Sequence, residues 1–168
     1  MKRMHLHVGV ADLDASITFY STLFAAEPSV IKADYAKWML DDPKVNFAIS
    51  NSEHAAKGIE HIGIQAETAD ELAEVYDRLR DAGRPVLEEG ATTCCYAESE
   101  KSWISDPDGV IWEAFLTNGE ATDYGNRAPL ESVNAGEGQC CAPSLSPSIC
   151  APAMAEEPAK ASCCGPAA

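Results

Sequence analysis

The sequence predicts an α+β domain made of two paired βαβββ modules that enclose a metal-containing cavity. Residues 4–10 alternate strictly between apolar and polar side chains and then run into an amphipathic helix. The same strand-then-helix programme returns from Ile59 onwards. Residue types suited to metal ligation occupy matching places in the two copies, His5 in the first and His61 in the second.

In the first module, about residues 1–52, Met4, Leu6, Val8 and Val10 form one face of a strand and His5, His7 and Gly9 the other. Asp12 and Asp14 open a helix whose apolar stripe is Ile17, Tyr20, Leu23 and Phe24. Strands are expected at residues 37–40 and 45–50. In the second module, about residues 58–117, the strand at 59–66 sets Ile62 and Ile64 against His61, Gly63 and Gln65. Thr68 and Glu71 have capping-box spacing, Leu72, Val75, Tyr76 and Leu79 make the helix stripe, and Gly83 suits a left-handed stop. Later strands are expected near 94–97, 101–105 and 110–116, the last two joined by the turn Asp106-Pro107-Asp108-Gly109.

The folded domain is read as residues 1–118. Residues 119–168 hold most of the prolines, are rich in Ala, Ser and Gly, and lack a helical or strand period, so they read as a largely disordered, cysteine-bearing tail. A net charge of −15, from 27 acidic and 12 basic side chains, repels phosphate backbones and anionic lipid surfaces. Nucleic acid and membrane are therefore not expected partners. No apolar run is long enough to span a bilayer and the first residues lack a signal-peptide core, so the expected compartment is the cytoplasm, where thiols stay reduced. The modules can pair within one chain or between two chains of a homodimer, and both arrangements use the same residues.

Placing the modules about a pseudo-symmetry axis brings chemistry-bearing residues together. His5 aligns with His61, Tyr20 with Tyr76 and Leu23 with Leu79. Counting from Asp42-Pro43 and Asp106-Pro107, Glu113 falls opposite Ile49, so His5, His61, Glu113 and Ile49 are expected to line one cavity. A single histidine on a strand is more often a packed or surface residue than a ligand. Two at repeat-equivalent positions, with a carboxylate set in an apolar run between Trp112 and Phe115, form a different case, because burying that charge is costly unless it is paired or metal-bound. Two imidazoles and one carboxylate with open positions are the facial arrangement of non-haem Fe(II) sites. His7 shares the face of His5 and is expected beside the ligands or towards substrate. His54, in a polar stretch, reads as ordinary.

Six of the seven cysteines stand as adjacent pairs: Cys94-Cys95, Cys140-Cys141 and Cys163-Cys164, with Cys150 alone. Neighbouring cysteines close a strained ring if oxidised, whereas two thiolates suit one soft, thiophilic atom. Cys94 and Cys95 fall where the second module is longer than the first, between its helix and its later strands.

The strand beginning His5-Leu6-His7-Val8-Gly9-Val10 and running into Phe19-Tyr20, the run Glu60-His61-Ile62-Gly63, and Asp106-Pro107-Asp108-Gly109 leading to Glu113 together resemble the vicinal oxygen chelate superfamily of glyoxalases, bleomycin resistance proteins and dioxygenases, over about residues 1–118. That family's metal ligands fall on His5, His61 and Glu113. The stretch from Thr92 through Cys94, Cys95 and Tyr96 to Ala97, with the trailing cysteine pairs, is similar to the carbon–arsenic lyase branch, which includes cadmium-induced proteins. The resemblance implies an Fe(II) site, with Ni, Co, Mn or Zn as occupants in vitro, and molecular oxygen as co-substrate. It implies cleavage of the C–As bond of trivalent organoarsenicals such as methylarsenite to give arsenite, with Cys94 and Cys95 binding the arsenic. Cys140, Cys141, Cys163 and Cys164 would serve as accessory arsenical capture. A non-catalytic arsenite or cadmium binder would use the thiols and leave the triad idle. An extradiol dioxygenase would use the triad and leave the paired thiols idle.

Overall fold

The computed structural model describes residues 1–51 and 57–125. Its elements are β1 (Arg3–Gly9), α1 (Leu13–Phe24), β2 (Val30–Ile31), β3 (Tyr35–Asp41), β4 (Lys44–Ser50), β5 (Gly58–Ala66), α2 (Ala69–Asp81), β6 (Val86–Cys94), β7 (Ala97–Ser105) and β8 (Ile111–Glu120). His54 and Cys140, Cys141, Cys150, Cys163 and Cys164 lie outside the described residues. Among the described residues no helix is long and apolar enough to cross a membrane.

All eight strands join one mixed sheet in the order β2-β3-β4-β1-β5-β8-β7-β6. The first strands of the two modules, β1 and β5, pair antiparallel at its centre, so the modules join within one chain. Each first strand also pairs in parallel with the last strand of its own module, β1 with β4 and β5 with β8.

The sheet curls. β3 and β7 stand five strand spacings apart, which in a flat sheet is roughly 24 Å. Yet the ring of Tyr35 on β3 lies 5.9 Å from that of Tyr96 in the β6–β7 turn, and the Tyr96 hydroxyl donates to Asp34 Oδ1 at 2.6 Å. The two ends of the sheet thus meet over its concave face.

The helices cover the other face. Asp12 caps α1 by accepting from the Ala15 amide at 2.9 Å, and Thr68 caps α2 by accepting from the Glu71 amide at 3.2 Å. Gly83 follows α2 with φ +70°, the left-handed stop its position requires. Ile17, Tyr20 and Phe24 pack onto Trp38, Phe47 and Ile49, the apolar layer beneath the first module. Leu23, expected in that stripe, is 61% exposed. The side-chain direction along α1 follows 13, 17, 20 and 24, and position 23 falls on the solvent edge of this arc.

Three further expectations are corrected. Ile49 does not line the cavity; it lies in the helix-facing layer, fully buried. The β3–β4 turn is tight, at Asp42-Pro43, whereas the β7–β8 turn occupies residues 106–110, so counting from the Asp-Pro dipeptides slips the register. His7 pairs with Ala48 and Gly63 with Glu113, which makes Ala48 the counterpart of Glu113.

The strand expected at residues 94–97 is a hairpin turn instead, because Cys95 and Tyr96 have φ +57° and +60°. It closes the long β6–β7 ribbon, whose β6 is too polar and glycine-broken to show the usual alternation. The chain also does not leave the fold at residue 118. β8 continues to Glu120, and the Gly125 backbone returns to bridge Cys94.

Candidate metal and thiol site

Strand alternation sends His5 and His7 from β1, Asn46 from β4, His61 from β5 and Glu113 and Phe115 from β8 into one cavity on the concave face. Its free volume is about 30 Å³, little more than two water molecules need. His5, His7, His61 and Glu113 are all buried. Each histidine offers a nitrogen, and these atoms lie within 4.8 Å of one another, so the cluster could hold a metal ion.

The finer geometry separates the roles. His5 Nδ1 donates to the Asn46 carbonyl at 3.0 Å, since a carbonyl oxygen can only accept, and this leaves Nε2 with its lone pair. His5 Nε2 is 3.2 Å from His61 Nε2, and Glu113 Oε2 lies 3.5 Å from the first and 3.6 Å from the second. These three atoms form a small triangle. His7 Nε2 is instead engaged by the Ser50 hydroxyl at 2.8 Å, with Glu60 Oε2 at 3.7 Å.

One site residue escaped the sequence reading. Lys101 on β7 is buried, and its ammonium lies 2.7 Å from Glu113 Oε1 and over the rings of Trp103 and Phe115. Burial disfavours both charges, but each supplies the other's counter-charge, so the Lys101 ammonium is held above its ordinary pKa and the Glu113 carboxyl below its own. Burial also pulls His5 down to about 4, which keeps its ring neutral at physiological pH. The available signal was a cation two residues before Trp103 on a strand, hence on the same face.

Gly63 is required by close approach. A Cβ there would sit 2.4 Å from the Glu113 carbonyl oxygen, in the strand pair that carries Glu113. Gly63→Ala should therefore displace β8 and lower metal affinity at least tenfold. Gly119→Ala, whose Cβ would meet only the Glu98 side chain at 3.4 Å, should not. Metal stoichiometry measured on the two purified variants checks this pair, and equal metal content would show that the β5–β8 spacing is not limiting.

Cys94 and Cys95 line the same cavity, with their sulfurs 3.1 Å apart. Successive strand residues point to opposite faces, so two adjacent cysteines in a strand would diverge. The left-handed backbone at Cys95 breaks the alternation and turns both sulfurs together. The strain is of order 1–3 kcal/mol for each left-handed non-glycine residue. The Cys94 thiol is drawn down by its hydrogen bond with Cys95, while the same bond and burial push the Cys95 thiol well up. Cys95 also borders a second chamber of about 300 Å³ lined by Lys32, Lys37, Tyr96, Thr117 and Glu120.

Residues 3–114 match the family profile described as Glyoxalase/Bleomycin resistance protein/Dioxygenase superfamily. A trivalent organoarsenical cleaving enzyme of Bacillus sp. (strain MD1) is 38% identical over 151 residues, covering 87% of this chain and 94% of that protein. A protein of the same name from Thermomonospora curvata is 31% identical, covering 85% and 90%. The cadmium-induced protein CadI of Mycobacterium tuberculosis is 31% identical, covering 84% and 93%. Among solved structures, the Mn(II)-bound glyoxalase of Novosphingobium aromaticivorans superposes with a TM-score of 0.51 at 21% identity, over 79% of this chain and 45% of that one, a likeness of fold. With its doubled strand–helix modules, central β1–β5 pairing and buried histidines on the concave face, the chain belongs to the Glyoxalase/Bleomycin resistance protein/Dioxygenase superfamily.

Proposed function

We propose that this protein is an Fe(II)-dependent carbon–arsenic lyase that converts trivalent organoarsenicals such as methylarsenite to arsenite. The observation that carries the reading is the meeting of two chemistries in one cavity: an imidazole–imidazole–carboxylate triangle and a pair of adjacent sulfurs. A thiol sink needs only the sulfurs, and an extradiol dioxygenase needs only the triangle. The relatives named organoarsenical cleaving enzymes, at 31–40% identity, support the same choice.

In this reading His5 Nε2, His61 Nε2 and Glu113 Oε2 hold the metal. Bonds of about 2.0–2.2 Å put neighbouring donors roughly 3–3.6 Å apart, and this triangle has that spacing. His7, whose Nε2 is engaged by Ser50, stands beside this ligand set, close enough to belong to a three-histidine cluster. Lys101 engages Oε1 and so leaves Oε2 to the metal. Fe(II) bound there would supply open coordination positions and the redox activity that dioxygen activation needs, while the net electrons come from the cleaved C–As unit, methylarsenite and dioxygen balancing as arsenite and formaldehyde.

The chain's own residues do the rest. Cys94 and Cys95 displace two oxygen or thiol ligands from trivalent arsenic and fix its carbon substituent relative to the metal site. That removes most of the translational and rotational cost of bringing C–As bond and oxidant together. Trp103 and Phe115 beside the cavity limit its water. The cytoplasm fits a reaction that needs reduced thiols.

The test is aerobic incubation of Fe(II)-loaded protein with methylarsenite, with arsenite measured by chromatography and elemental detection. Catalytic arsenite release that stops when a chelator removes the metal is the expected result. Arsenic bound without arsenite release would make the protein a thiol-based sink.

A further inference from the structure

We infer that Tyr124 and Gly125 are positioning residues, forming a strap after β8 that holds the Cys95-Tyr96 turn in its left-handed conformation and so fixes the Cys94–Cys95 sulfur pair at chelating spacing. The inference rests on the thiol-binding part of the proposed function.

Two-residue hairpin turns with both residues left-handed favour Asn, Asp and Gly, and this one carries Cys and Tyr. Such a turn persists only where its surroundings over-determine it. Here the strap does so on three sides. The Cys95 amide donates to the Tyr124 carbonyl at 2.6 Å, the Ala121 amide donates to the Tyr96 carbonyl at 2.9 Å, and Gly125 bridges Cys94. The Tyr124 ring meets the rings of Tyr96 at 5.6 Å and Tyr35 at 6.4 Å, which ties the turn to β3 across the mouth of the cavity.

Gly125 has no substitute. Its φ is +81°, and a Cβ would stand 1.9 Å from the Thr93 carbonyl oxygen, next to Cys94. Any side chain there must lift the strap from the turn. Freed of the strap, Cys95 relaxes towards ordinary extended backbone, strand alternation returns, and the two sulfurs separate. Both thiols survive, but one soft atom no longer reaches both.

The experiment compares bidentate with monofunctional thiol chemistry in the full-length, metal-loaded chain. Methylarsenite affinity is measured by fluorescence titration and thiol alkylation by iodoacetamide with mass spectrometry. Gly125→Ala should bind methylarsenite at least tenfold more weakly while Cys95 alkylates as fast as in wild type or faster, with metal content unchanged. Tyr124→Leu keeps the backbone contacts and removes the ring packing together with the hydroxyl's hydrogen bond to Cys95, so it should give a smaller loss in the same direction. Wild-type methylarsenite affinity in Gly125→Ala would overturn the strap. If Gly125→Ala fails to fold, the Tyr124→Leu reading decides, and wild-type affinity there overturns the proposal. Failure of the underlying reading looks different: wild type and the Cys94→Ser, Cys95→Ser chain would bind methylarsenite equally, whatever the strap variants do.

Discussion

Glu113→Ala should abolish metal binding and, in the same step, destabilise the metal-free fold by about 3–5 kcal/mol, the usual consequence of removing one partner of a buried ion pair. The two effects have separate origins on one side chain. Oε2 faces His5 and His61, and its loss removes the only anionic donor of the triangle. Oε1 faces Lys101, and its loss leaves an ammonium buried among Trp103 and Phe115 with no counter-charge. Adding Lys101→Met to Glu113→Ala should therefore restore most of the stability and none of the metal. His5→Ala and His61→Ala should remove the metal without orphaning a buried charge, since His5 is already neutral when the metal is absent. Chemical denaturation of the metal-free variants and metal analysis of the loaded ones measure the two quantities independently. Wild-type iron content in all three single variants would mean that the metal sits elsewhere. An unchanged stability of Glu113→Ala would mean that Lys101 finds another anion or reaches water.

How legible this was in the sequence depended on which residues obeyed strand alternation. His5, His7 and His61 were readable because each stands in a run where every second residue is apolar, so their common face followed from period two alone. Glu113 was found by repeat counting that was one position off, and it survived because its own strand still puts 113 and 115 inward. Ile49 did not survive, because its place rested wholly on the counted register, and a longer β7–β8 turn shifted it. Lys101 was missed because a lysine in a strand ordinarily reads as a solvent-side residue, and only the Glu113 carboxylate makes its burial tolerable. That Cys94 and Cys95 act as a pair was readable from their adjacency, but the backbone that turns both sulfurs to one side was not. It depends on two positive φ values in residues that seldom adopt them, enforced by a segment thirty residues further along the chain that composition had assigned to the tail.

Cys94→Ser, Cys95→Ser should lower methylarsenite affinity by about 10²-fold or more and eliminate arsenite production, while leaving iron content and fold intact. Serine keeps the size of cysteine and its place in the turn, so the Tyr124 carbonyl still receives the amide of residue 95 and the hairpin is preserved. What is lost is soft-atom bonding: a hydroxyl at neutral pH does not hold trivalent arsenic as a thiolate does. Each single variant should fall nearly as far as the double one, because the second sulfur binds within the same molecule, and that intramolecular advantage is typically a factor of 10²–10⁴. The sulfurs, 3.1 Å apart, contribute that advantage only together. The metal triangle should be untouched, since His5, His61 and Glu113 are held by Asn46, the β5–β8 register and Lys101, none of which involves the turn. Cysteines elsewhere in the chain should not rescue the rate, because turnover needs the carbon–arsenic bond fixed against the metal and only residues 94 and 95 share its cavity among the described residues. Side-by-side titration with methylarsenite, iron analysis and an arsenite assay of wild type, the two single variants and the double variant decide it. Wild-type turnover in the double variant would remove arsenic from the assignment and leave a dioxygenase of another substrate class, with the metal triangle as its active part.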